Sequence, residues 1–135
     1  NEVVIMTGTG EAFSGPAIEP GRHPNRNIMT PASYDPIYFE GKHMLPNLLG
    51  IEVPVIAAIN GPAVRHAELP LVSDIVLASV DACIQDTAHF AGGMVPGDGM
   101  HILMPLLMGP TRGRYFLLTG QKLDAPAPES QPVEP

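Results

Sequence analysis

Two histidines and two aspartates share one short segment, Gln85-Asp86-Thr87-Ala88-His89-Phe90-Ala91-Gly92-Gly93-Met94-Val95-Pro96-Gly97-Asp98-Gly99-Met100-His101, set among four glycines and one proline. His89 and Asp98 stand nine residues apart across a bend rich in Gly and Pro. A carboxylate hydrogen-bonded to imidazole fixes its tautomer and raises its basicity, which suits a general base near neutral pH. By spacing alone, two unrelated loop residues are the plainer reading. A second run, Asn60-Gly61-Pro62-Ala63-Val64-Arg65-His66-Ala67-Glu68, precedes it. His66 falls beside the start of a short helix, where free N–H groups and a partial positive charge could hold a developing oxyanion and the imidazole could add a donor. The alternative is a surface histidine near a helix start. Glu68 could be a second acid or base, or a first-turn acid favoured by the helix dipole. A metal site would draw on His66, His89, His101 and an Asp; no pair has the usual helical or knuckle spacing, so no metal is expected. Ser14 lacks a nucleophile elbow, which leaves a serine hydrolase triad unsupported. Arg112 and Arg114 read as solvated or salt-bridged, and Met94, Met100, Met104 and Met108 as core or pocket fillers.

The elements that must carry these loops follow from apolar patterning. Val3–Met6 is a short apolar run closed by Thr7-Gly8-Thr9-Gly10, a buried strand and a turn. That turn lacks the third glycine and following helix of a dinucleotide loop. Residues 14–33, rich in Pro, Gly, Asn and Arg, read as a long loop of the kind that is functional or disordered. From Ser33 to Leu49 the spacing of Ile37, Met44, Leu45, Leu48 and Leu49 predicts a helix, with Pro36 in its first turn and a kink at Pro46. Val53–Ile59 predicts a second strand, about His66 to Leu71 a short helix, and Ser73–Ala78 and Ala82–Gln85 two more strands. Met100–Met108 and Thr111–Leu118 read as helices split by Gly109-Pro110. Alternation of strands and helices gives an α/β class with a largely parallel sheet. Residues 1–124 form one domain, and 125–135, rich in Pro, read as a disordered tail.

The chain of 135 residues is long enough to bury a core. Its net charge of -7, with no cationic patch, argues against nucleic acid as a partner. Cys83 is alone, so there is no intrachain disulfide and a reducing compartment is expected. Its strand setting reads as a buried, inert thiol. No apolar run reaches the ~18 residues of a membrane span. The chain opens without a signal-peptide pattern and enters a strand at once, which reads as a truncated or internal start.

Taken together the motifs resemble the crotonase (enoyl-CoA hydratase/isomerase) superfamily. Val3–Gly15 is similar to the strand and first oxyanion loop of that family, and Ile51–Gly61 to the strand before the second. Leu69–Ala78, Val95-Pro96-Gly97-Asp98-Gly99 and Leu117-Leu118-Thr119-Gly120 continue the likeness. The family's Gly-rich stretch after Asn-Gly is replaced by Val64-Arg65-His66-Ala67. The first hydratase glutamate aligns with Glu68 across a one-residue gap, and the second falls on His89. These substitutions resemble 6-oxocamphor hydrolase and related β-diketone hydrolases.

The resemblance implies a ClpP/crotonase ββα-type core and retro-Claisen cleavage of a carbon–carbon bond between two carbonyls, with no cofactor and no metal. It implies that His89 and Asp98 activate water and His66 polarises a carbonyl, with Ala17, Arg65 and Glu68 on the oxyanion and substrate side. A cytoplasmic homo-oligomer, a trimer in the family, with a small-molecule diketone as substrate would follow. The alternatives are action on an acyl-CoA thioester, or a fold kept without catalysis. The chain departs from the family in having no Trp, in Pro16 where glycine is frequent, and in a Pro-rich end where the family has helices.

Overall fold

The computed structural model describes residues 2–15, 30–90 and 93–126. Strand β1 (Val4–Thr7) is followed by helix α1 (Pro31–Leu49), strand β2 (Val55–Ile59), the short helix α2 (Glu68–Leu71) and strand β3 (Ile75–Ala78). Then come β4 (Cys83–Ile84), α3 (Met100–Met108), α4 (Pro110–Thr119) and β5 (Leu123–Asp124). The first three strands form a parallel sheet in the order β1-β2-β3, with Val4 opposite Val55 and Ile56 opposite Ile75. Parallel neighbours need crossovers: α1 lies in the first connection, and the His66 loop with α2 in the second. Buried Val55, Ala57 and Ile59 alternate with half-covered Ile56 and Ala58, the period-2 signature of a strand with one face inward.

Three local devices fix the ends of these strands. The Asn60 carboxamide accepts from the Gly8 N–H at 2.9 Å and donates to the Gly10 carbonyl at 2.7 Å, tying the end of β2 to the turn after β1. Asp74 takes the Val55 N–H at 2.8 Å, so the first residue of β2 is anchored by the loop before β3. Gly113 lets α4 approach α3, because a Cβ there would meet the Met104 carbonyl and the Pro105 nitrogen.

The core gathers Ile59, Ala63, Ala67, Ala82, Met100, Met104, Phe116 and Leu117, with Phe116 wholly enclosed. The predicted helices after Gly99 stand, and Pro110 is the first residue of α4, where its missing N–H costs nothing.

Four expectations are corrected. The helix at 33–49 begins at Pro31, so Pro36 lies in its second turn, where an internal bond is lost. Its apolar face is only partly covered: Met44, Leu45 and Leu48 are half-buried, whereas Ile37 and Leu49 are exposed. The strand expected at 82–85 is present as β4 but lies outside the three-stranded sheet: it pairs antiparallel with β5, which the sequence reading missed, and Ile84 makes an isolated parallel bridge to Ala63. The packed structure also extends past residue 124, since the Ala125 N–H reaches the Ala82 carbonyl at 2.9 Å and Ala125 packs on the core. The rest of the predicted tail, from Ala127, and most of the 14–33 loop lie outside the described residues.

Candidate active site

A ladder brings the two candidate loops together. The Ala63 N–H donates to the Cys83 carbonyl at 2.7 Å, Gln85 to Ala63 at 3.1 Å, and Thr87 to Val64 at 3.2 Å. The Thr87 hydroxyl closes on the same Val64 carbonyl at 2.6 Å. The chain leaving β4 therefore runs beside the chain leaving β2, and His66 and His89 emerge as neighbours. On the other side, the Val64 N–H donates to Ser14 at 3.1 Å, which docks the end of the first loop against the second.

Asp86 shapes the turn that presents His89. One of its oxygens accepts the N–H groups of Ala88 and His89, each at 3.2 Å. Such local capping by aspartate stabilises a turn. The same carboxylate receives the His89 Nδ1–H at 2.8 and 2.9 Å. Asp98 arrives from the other direction, two residues before α3, with the Met100 N–H on its Oδ1 at 3.4 Å. Gly99 makes this approach possible: its φ is +121°, and a Cβ would collide with Leu45 of α1.

Asp98 Oδ2 lies 3.2 Å from His89 Nε2 and 3.8 Å from His66 Nδ1. His66 Nδ1 is itself bonded to Glu68 Oε1 at 2.7 Å. The result is an alternating row of carboxylates and imidazoles: Asp86, His89, Asp98, His66, Glu68. Both ends of the row are dry, since the Asp86 and Glu68 side chains are 4% and 0% exposed, and His89 is 11% exposed. The row opens to solvent at His66, whose side chain is 51% exposed. His66 also sits at φ +52°, a left-handed conformation that few non-glycine residues adopt.

The electrostatics follow from this row. His89 is pushed up from 6.5 to about 10, first by the hydrogen bond to Asp86, then by Asp98, against the opposing effect of burial. It therefore rests as imidazolium at neutral pH. His66 is raised as well, chiefly by its hydrogen bond to Glu68. Burial pulls Asp98 upward, but the bond to His89 and its charge outweigh that and hold the carboxyl below its ordinary value.

The structure thus brings together four of the residues singled out from sequence: His66, Glu68, His89 and Asp98. Ala17 lies outside the described residues. Arg65 packs its Cβ and Cγ on Gly15, and its Nε is buried without a partner among the described residues. His101 is exposed on α3. Asp86 was not singled out; the signal available was an Asp three residues before His just after a strand. The donor atoms of His66, Glu68 and Asp98 lie within 4.8 Å of one another, a grouping able to hold a cation, but here His66 Nδ1 already stands between the two carboxylates. Chemically, the row offers a nitrogen flanked by a carboxylate to take a proton, and a second imidazole that bonds Glu68 through Nδ1 and, when protonated, has Nε2–H unengaged among the described residues to donate to a carbonyl oxygen.

Known proteins share this frame. The family model for enoyl-CoA hydratase/isomerase matches residues 1–129. A carnitinyl-CoA dehydratase from Citrobacter koseri is 32% identical over 134 residues, covering 91% of this chain and 46% of the relative. A solved β-diketone hydrolase from the cyanobacterium Anabaena sp. PCC 7120, bound to (S)-3-oxocyclohexyl acetic acid, is similar with a TM-score of 0.80 and 49% identity over 92% of this chain and 48% of that one. An enoyl-CoA hydratase/isomerase from Cupriavidus metallidurans CH34 gives 0.75 and 30% identity, over 92% and 46%. The chain spans about half the length of the curated relatives it matches. The order of its motifs, its crotonase fold and these matches agree: the chain belongs to the enoyl-CoA hydratase/isomerase family.

Proposed function

We propose that the chain carries the reacting groups of a hydrolase that cleaves a cyclic β-diketone between its carbonyls. The observation that carries this reading is the Asp98 carboxylate held between two imidazoles, where hydratases of the family would use paired glutamates. The 49% identity to a β-diketone hydrolase supports it.

In its working form His89 keeps Nδ1–H on Asp86 and has lost the proton from Nε2. A water donating to Nε2 and to Asp98 Oδ2 is oriented with its lone pair toward one carbonyl carbon. Attack transfers the water proton to His89 and leaves a tetrahedral oxyanion. Collapse of that oxyanion breaks the carbon–carbon bond, and the electron pair passes to the second carbonyl as an enolate. His66, whose protonated form is favoured by its bond to Glu68, donates Nε2–H to that oxygen. The proton held by His89 then goes to the enolate carbon, giving a keto acid and restoring the base. Water is consumed, and neither coenzyme A nor a metal is required. The unpaired Cys83 supports a reducing, cytoplasmic setting.

Loss of the ultraviolet absorbance of a cyclic 1,3-diketone tests the reading directly. His89→Ala should lower turnover by roughly 10²–10⁴-fold, the span a positioned base contributes. Because the base form of His89 is scarce at neutral pH, kcat/KM should climb on the alkaline side of 6.5. Unchanged turnover in His89→Ala, or a maximum at acid pH, would sink the base assignment.

A thioester substrate is the second reading. Glu68 favours it: the residue is fully buried, its Oε2 has no partner among the described residues, and it aligns with the first hydratase glutamate. The relatives named for CoA substrates point the same way. Measurable acyl-CoA affinity would count heavily for this reading and against the diketone.

A further inference from the structure

We infer that Asp86 is a positioning residue that chooses which nitrogen of His89 works and sets the pH at which it becomes available. The inference rests on the base role given to His89 above, but its central measurement does not depend on turnover.

Three geometric facts carry it. Both Asp86 oxygens lie on His89 Nδ1, at 2.8 and 2.9 Å, so the proton on that nitrogen is shared with the whole carboxylate. The Asp86 side chain is 4% exposed, so water does not compete for it. Its Oδ1 is also locked by the N–H groups of Ala88 and His89, which prevents the carboxylate from turning away. A carboxylate fixed in this way keeps Nδ1 protonated. The nitrogen left for chemistry is Nε2, which faces Asp98 at 3.2 Å.

The same contact has an opposing consequence. A second negative charge on one imidazole makes its cation harder to discharge, so fidelity of tautomer comes with a scarcer base. Among the described residues, the charged and titratable neighbours of His89 are Asp86 and Asp98, with His66 beyond Asp98 and Glu68 beyond His66. His66 works against the carboxylates whenever it is protonated, since a positive charge there favours the neutral form of His89. Among the carboxylates, Asp86 has the shorter contact and the lower exposure, so its removal should have the larger effect.

Asp86→Asn separates charge from shape, because the amide oxygen can still cap Ala88 and His89. Nitrogen-15 and carbon-13 NMR of the histidine rings would follow His89 in the full chain, with His89→Gln used to assign its signal. In the parent protein His89 should stay protonated at pH 8, and above its titration should retain Nδ1–H. In Asp86→Asn the titration should move acidward by about 1–3 units, the size of shift a close opposite charge produces. Nε2–H should also become populated in the neutral ring. In the diketone assay the rising limb of kcat/KM should shift the same way, while plateau kcat falls, because part of the imidazole now carries its proton on the wrong nitrogen. A titration and a tautomer unchanged in Asp86→Asn would overturn the inference. If that variant fails to fold, a parent His89 that titrates near 6.5 overturns it and one still charged at pH 8 supports it. If no diketone is cleaved while the NMR shifts appear, the hydrolase reading fails and the positioning role stands.

Discussion

His89 is gripped by a carboxylate at each ring nitrogen, and this couples its charge to folding as well as to chemistry. In the unfolded chain the imidazole titrates near 6.5; in the fold it titrates near 10. A raised histidine contributes stability that is fully present below the unfolded value and is lost as pH rises through the folded value. His66 has the same sign, whereas Asp98, depressed in the fold, contributes stability lost only as pH falls through its folded value. The urea midpoint should therefore decline between about pH 6.5 and 10, and His89→Gln should flatten that decline. A midpoint that rises across this window would contradict the ion-paired row. Much of the row was visible in the sequence. His89, Asp98, His66 and Glu68 could all be named from sequence, because they stand where the family resemblance places reacting groups; spacing alone left unrelated loop residues as the plainer reading. Their connection was not visible. The spacing of nine between His89 and Asp98 says nothing about a 3.2 Å contact, which depends on where α3 begins and how Gly99 turns. Asp86 went unread because its role comes from a turn of three residues whose conformation no periodicity reveals.

Among the elements, most were legible, α2, β3 and β4 included, but β5 and its pairing with β4 were not. β1, β2, α3 and α4 carry continuous apolar runs or Gly-Pro punctuation, and their observed bounds stay within two residues of expectation. β4 and β5 are two residues each, too short for any period, and their pairing is set by the return of the chain after α4. The loop before α3 shows how one backbone position governs the site. Gly99 has to adopt φ +121° while leaving room for Leu45, and Asp98 precedes it directly. Gly99→Ala meets both a disfavoured conformation and a collision with α1. A loss of about 1–3 kcal/mol in denaturant stability is expected from the backbone alone. Displacement of Asp98 should weaken its contact with His89, so the imidazole should titrate lower in the same variant. Full stability with an unchanged His89 titration would show that the loop has room the structure does not display. By contrast, Gly97→Ala, where a Cβ meets nothing within 4 Å, should leave both measurements close to the parent.

At the scale of the molecule, the distribution of apolar surface is uneven. Phe116 and Met100 are enclosed, yet Ile75 and Leu77 of β3 are 48% and 58% exposed, and Leu106 and Leu118 on α3 and α4 are 74% and 64% exposed. Scattered apolar residues on a surface need no explanation, but a strand exposed at every position and two helices with bare leucines form the kind of face that marks an interface. β3 is also an edge of the parallel sheet among the described residues, leaving ladder groups open to another strand. A second copy of the chain would take these faces out of water, which is favourable in proportion to the apolar area covered. The 135-residue chain on its own should therefore self-associate. Light scattering coupled to size exclusion is expected to give a mass above the 14.3 kDa protomer, rising with concentration. Leu77→Lys on β3 and Leu106→Lys on α3 alter exposed side chains and should shift the mass toward the protomer. A chain that stays monomeric at high concentration and binds no hydrophobic dye would show that these faces are covered in solution.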